Sequence, residues 1–165
     1  MSLPSERELI VECKPDQLLL EIFGGYRRSE INHKEDRGRA IKYIKREGVR
    51  GLCVVDEDPS SGYPVDRILE GFREVTSDEE KKLRVRRFVK DDKVVLVLQP
   101  NLEGWVLRAA RLCGVKPEKF NLPNEESALH SVINNNLKNF KRFLSELSGC
   151  NNLITLKNML KGGSD

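Results

Sequence analysis

Gly51-Leu-Cys-Val-Val-Asp-Glu-Asp-Pro59 decides the fold. Gly51 to Val55 is a continuous apolar, β-branched run, closed by an acidic turn. Such a run predicts a strand buried on both faces, and strands of that kind belong to parallel sheets covered by helices. Upstream, Glu35 to Glu47 reads as a helix, with Ala40, Ile41 and Ile44 on one face and Gly48 as its stop. Arg27 to His33 carries a weaker strand pattern. Gln17 to Phe23 predicts a helix that Pro15 starts and Gly24-Gly25 ends. Glu8 to Cys13 is a short β-branched strand. Strand–helix–strand–helix–strand is the order of an α/β protein with a mostly parallel central sheet flanked by helices.

Downstream, Ser60 to Glu80 is a polar insertion with a helical patch at Val65 to Phe72. Leu83 to Val89 and Val94 to Leu98 flank Asp91-Asp92 and predict a β-hairpin. The pattern then turns helical: Leu102 to Cys113, Glu125 to Asn134, Leu137 to Leu147 and Leu153 to Leu160, with Lys161 to Asp165 expected to fray. Residues 1–113 therefore read as the α/β domain. Residues 114–165 read as a helical C-terminal extension packed on it.

At 165 residues the chain has the length of one domain, and 38% hydrophobic against 33% charged residues predicts a soluble, heavily charged globule. No apolar run nears the ~20 residues that cross a bilayer, and Met1 to Glu8 is charged, so a cytoplasmic location without membrane contact is expected. Cys13, Cys53, Cys113 and Cys150 lie far apart, with no CxxC and no close histidine. Zinc is not expected on that spacing, and four free thiols are expected in a reducing compartment.

The acids carry the chemistry. Glu12 closes the first strand, and Asp56 and Asp58 close a later one. Ligands of parallel α/β sheets bind beyond the carboxyl ends of the strands, so these acids are expected to share one crevice. Crowded carboxylates repel unless a hard cation neutralises them, and Mg²⁺ or Mn²⁺ suits oxygen ligands. If strand geometry persists through Asp56-Glu57-Asp58, both aspartates face one side and Glu57 the other. Helix caps and turns also use such acids, Asp58-Pro59 being a turn dipeptide.

Ile10-Val-Glu-Cys-Lys-Pro-Asp16 followed by a helix, and later Leu52-Cys-Val-Val-Asp-Glu-Asp58, resemble the Toprim domain over roughly the first hundred residues. That family includes topoisomerases, bacterial primases, recombination mediators and the overcoming-lysogenization-defect nucleases. The resemblance is closest to small stand-alone Toprim proteins and to the nuclease branch. It implies a Toprim-like fold, Mg²⁺ or Mn²⁺ as cofactor, and phosphodiester hydrolysis or related phosphoryl transfer on DNA or RNA. Glu12, Asp56 and Asp58 are implied as catalytic and metal-binding. Asp16, four residues after Glu12, and Glu103 in Gln99-Pro-Asn-Leu-Glu103 match the nuclease branch's further metal acids, with Asn101 a polar ligand candidate. The chain departs from the family at Cys13, where glycine usually follows the glutamate. It also lacks the topoisomerase tyrosine module and any GxxxxGK[ST] motif.

Lys81 to Lys93 holds seven basic residues in a chain whose net charge is +3. Arg84 and Arg86 alternate with Leu83 and Val85, predicting a cationic strand face that, with Arg87 and Lys14, would contact a phosphate backbone. Lys14, Lys138 and Lys141 are candidates for neutralising a phosphoryl group. His33 and His130 read as structural. A non-catalytic Toprim module that binds nucleic acid or a protein partner is the alternative, and a homodimer or a protein partner is a further expectation. A haloacid-dehalogenase-like phosphatase is set aside, because its aspartate pair lies on the first strand.

Overall fold

The computed structural model describes residues 7–161. A six-stranded sheet runs in the order β2-β1-β3-β6-β5-β4. It comprises β1 (Glu8–Val11), β2 (Ile31–His33), β3 (Gly51–Asp56), β4 (Arg73–Glu74), β5 (Val85–Lys90) and β6 (Lys93–Leu98). β2, β1, β3 and β6 are parallel, while β5 and β4 complete the sheet antiparallel. The helices are α1 (Lys14–Gly24), α2 (Arg37–Ile44), α3 (Val65–Ile68), α4 (Asp78–Lys82), α5 (Leu102–Cys113), α6 (Glu126–Val132), α7 (Leu137–Leu147) and α8 (Ile154–Leu160).

The alternation of side chains along each strand divides the interior in two. Val11, Leu52, Val54, Leu96 and Leu98 pack with Leu19, Phe23, Trp105, Phe140, Phe143 and Leu156 from α1, α5, α7 and α8. Ile10, Cys53, Val55, Val95 and Val97 pack on the other face with Ala40, Ile41 and Ile44 of α2 and with Val65 at the start of α3. Burial on both faces is why the central strands read as unbroken apolar runs. Residues after 113 share the first of these cores with the sheet, through Phe140, Phe143 and Leu147.

β1 has neighbours on both sides: the chain leaves it for β2 through α1 on one face, then returns through α2 on the other face to β3. Helices following β1 and β3 therefore diverge to opposite faces, which opens a crevice at the carboxyl ends of these two strands. Gly51 starts β3 at φ 142°, where a Cβ would lie 1.9 Å from the Glu8 carbonyl oxygen. Only glycine lets β3 pair this closely with β1.

Three expectations change. The insertion at 60–80 contributes a strand, β4, whose two exposed residues carry no apolar period to detect. β2 is cut to three residues, because Arg28–Glu30 forms a 3₁₀ turn before it. Cys113 and Cys150 are joined by a disulfide with a Cα–Cα separation of 6.0 Å, so two of the four expected free thiols are paired. The helical layer brings the end of α5 against the loop before α8, a proximity that a spacing of 37 residues does not reveal. No helix among the described residues is long and apolar enough to cross a membrane. The tail at 162–165 lies outside the described residues.

Candidate metal centre

Val11 pairs with Val54, so Glu12 leaves β1 beside the end of β3, and Asp56 at that end pairs with Leu98 of β6. Three parallel strand ends thus deliver Glu12, Asp56 and the Gln99–Asn101 turn, with its cis Gln99–Pro100 peptide, to one place. Asp16 joins them from the first turn of α1, where a negative charge suits the helix dipole. Carboxylate oxygens of Glu12, Asp16 and Asp56 lie within 4.8 Å of one another. Glu12 and Asp56, together with Asp58, Glu103, Arg37, Asn101 and His130, line a cleft of about 410 Å³, with Asp16 buried behind them.

Asp16 is fully buried. Its Oδ2 accepts a hydrogen bond from the Cys13 thiol at 3.1 Å, while its Oδ1 has no partner. Asp56 Oδ1 is likewise buried and unpartnered. Burial chiefly, and then the Asp56 and Asp58 charges, push the Glu12 carboxyl up to about 8, with the Arg37 guanidinium opposing. Burial and then Glu103 push Asp56 up to about 7. Asp16 is raised as well, by burial first and then by Asp56 and Glu12. Two buried oxygens thus lack donors in a cluster of acids whose ionisation burial and mutual repulsion disfavour.

Sequence reasoning placed Asp58 in the inner group with Glu12 and Asp56, and Asp16 in an outer one. The structure reverses those two. Asp58 adopts φ 48°, ψ 67°, so strand alternation stops at Asp56. Asp58 lines the cleft outside the 4.8 Å group, and Glu103 does the same. Glu57 lies on the far side, bonded to Arg86 and to Gln99. Asn101 is committed elsewhere: its Oδ1 caps α5 by accepting from the Gly104 N–H at 2.8 Å, and its Nδ2 donates to Glu126. Cys13 holds φ −144°, extended backbone that any residue adopts, so glycine is not required there.

Two cleft residues escaped the sequence. His130 Nδ1 lies 2.8 Å from Glu103 Oε1, and this carboxylate raises the imidazole pKa. Arg37 is buried at the start of α2 and donates to the Glu57 carbonyl, to Ser61 Oγ and to the Tyr63 carbonyl, which fixes its charge beside Glu12. His130 is 27 residues from Glu103, so no spacing signal exists. Arg37 stands among several basic residues of one helix, and nothing in its neighbours marks it out.

The cationic strand face expected at Arg84 and Arg86 is not formed. Arg84 precedes β5 in the left-handed region at φ 58°. Arg86 is enclosed by Glu57, Asp66 and Glu74, with N–O distances of 2.5, 2.5 and 2.8 Å. Arg87 pairs with Glu80 at 3.1 Å, and Lys93 donates to the Ile44 and Arg46 carbonyls at the end of α2. These cations hold the insertion and α2 to the sheet. Lys14 lines a neighbouring cavity.

No family model, curated protein or solved structure matches the chain.

Proposed function

We propose that this chain is a Toprim-like, Mg²⁺- or Mn²⁺-dependent enzyme of phosphodiester hydrolysis or phosphoryl transfer on DNA or RNA. The observation that carries the proposal is the trio Glu12, Asp16 and Asp56, with buried oxygens of Asp16 and Asp56 left without donors. Acids after β1 and β3 at the crevice between them support the Toprim-like reading.

The oxygen-only donor set fits a hard divalent cation. Glu12, Asp16 and Asp56 would hold it, with Asp58 and Glu103 lining the same cleft for water-bridged contact or a second ion. A cation bound there supplies an activated water and stabilises charge on the leaving oxygen. Arg37, immobilised by three acceptors, offsets part of the carboxylate charge as a phosphodiester approaches. His130 holds a proton at the cleft rim against Glu103 and is placed to give it to a leaving oxygen.

Asp56→Asn tests the site. Calorimetry should show Mn²⁺ binding to the parent protein and at least tenfold weaker binding to the variant, with the fold intact by circular dichroism. Equal Mn²⁺ affinity removes the site. Cleavage of end-labelled DNA and RNA in Mn²⁺, lost in the variant, then tests the activity.

A further inference from the structure

A second cavity of about 370 Å³ lies between α1 and α7. Lys14 and Arg28 line it from the first half of the chain, and Lys138 and Lys141 from α7, more than 100 residues later in the sequence. Lys138 and Lys141 are three apart on a helix and share a face. The opposing charge is Glu21, paired loosely with Arg28 at 3.7 Å. Among the described residues none of Lys14, Lys138 and Lys141 forms an ion pair. All three are exposed.

This cavity adjoins the carboxylate cleft. Cys13 and Pro15 line the cleft while Lys14, between them, lines the cavity. Asn134 lines the cleft and Lys138 the cavity, so both recesses share the first turn of α1 and the approach to α7. The Cα atoms of Glu12 and Lys14 are at most about 7 Å apart. A phosphate approaching the carboxylate cleft without a bound cation meets Glu12, Asp56, Asp58 and Glu103 against Arg37 and His130, an acidic excess. Attraction has to come from beside it.

We propose that the α1–α7 cavity holds a backbone phosphate of one nucleic-acid strand, next to the phosphodiester presented to the carboxylates. The inference rests on the phosphodiester reading of that cleft. Lys138 and Lys141 bind the phosphate, and Lys14 stands at the junction of the two recesses. A chain carrying several phosphates occupies both recesses at once, which a free phosphate ion does not. The C-terminal helical layer thereby becomes part of the substrate path.

The test is fluorescence anisotropy with an oligothymidylate of about twelve nucleotides, in EDTA and over a salt series. Each lost single-strand phosphate contact lowers the salt slope by about 0.7. Lys138→Gln combined with Lys141→Gln removes the contact to the one phosphate they share and should therefore lower the slope by about 0.7, and the affinity at ~0.1 M salt by about fivefold relative to its value near 1 M. The charge-matched pair Lys116→Gln and Lys119→Gln, outside the cavity, should leave the slope within about 0.3 of the parent. An unchanged slope in the first pair, or an equal fall in both pairs, overturns the proposal. Mn²⁺ calorimetry on the first pair separates the two claims. Absence of Mn²⁺ binding in the parent refutes the carboxylate reading alone, whereas lysine-independent oligonucleotide binding refutes only the phosphate track.

Discussion

Stripped of divalent metal, the protein should lose stability as pH rises from about 5 to about 7.5. Folding lifts Glu12 from 4.5 to about 8 and Asp56 from 3.8 to about 7, and Asp16 moves the same way. An acid whose pKa is raised on folding binds more protons in the folded state. Its stabilisation is complete below the unfolded pKa and is lost as pH climbs through the folded one. The window here runs from about 4.5 to about 8. The cluster titrates as a unit, so one net proton is the conservative count. At 1.36 kcal/mol per pH unit, the loss over 2.5 units is about 3 kcal/mol, a large part of the 5–15 kcal/mol typical of a domain. His130 shifts in the same sense but is exposed, so it adds little. Trp105, the single tryptophan and buried against the sheet, reports unfolding directly. Urea titrations in EDTA should give a midpoint that falls with pH, and millimolar Mn²⁺ should restore it at the upper end. Asp16→Asn removes one buried charge and should flatten the dependence. A midpoint in EDTA that is constant or rises between pH 5 and 7.5 refutes the crowding of these carboxylates.

Reducing the Cys113–Cys150 bridge opens a loop spanning 37 residues and should cost about 4 kcal/mol, lowering Tm by roughly 10 °C. Identical melting with and without reductant means the thiols are unpaired in solution. Arg86→Ala leaves Glu57 and Glu74 without their cation and should destabilise by about 2 kcal/mol in urea, since the pair with Glu57 is largely buried. The same variant should keep its oligonucleotide affinity; a marked loss in anisotropy would return Arg86 to the nucleic-acid surface.

The sheet was legible because its central strands are buried on both faces. Leu52 to Val55 cannot alternate, and a run of that kind has few other homes in a chain this size. Cap chemistry marked a helix end just as locally: Gly25, within the Gly24-Gly25 stop, takes a left-handed conformation after α1, whereas the cap that Asn101 supplies to α5 was not read. β4 was not legible, because Arg73 and Glu74 hold their place through pairing with β5 and not through any pattern of their own. The cationic stretch was misread for a related reason. Arg86 and Arg87 show their charges in sequence, while the acids that pair with them, Glu57, Asp66, Glu74 and Glu80, arrive from elsewhere in the fold.

The candidate site divides along the same physical line. Glu12 and Asp56 could be read from strand ends, because a parallel sheet puts the ends of adjacent strands together whatever follows them. The ranking of the remaining acids could not, since it depends on one dihedral pair. With Asp58 at φ 48°, the chain bends out of the strand, and the inner place falls to Asp16, carried in by the first turn of α1. Proximity across the helical layer is equally hidden. His130 beside Glu103, and Lys138 and Lys141 beside Lys14, exist only because α6 and α7 fold back over the crevice. The apolar residues of α7, Phe140, Phe143, Leu144 and Leu147, insert into the core under α1 and α5, so the lysines are held by the same burial that stabilises the fold. A helix anchored so deeply fixes the backbone positions of Lys138 and Lys141 in the cavity beside the cleft, and the proposed phosphate contact would give the C-terminal layer a role beyond packing.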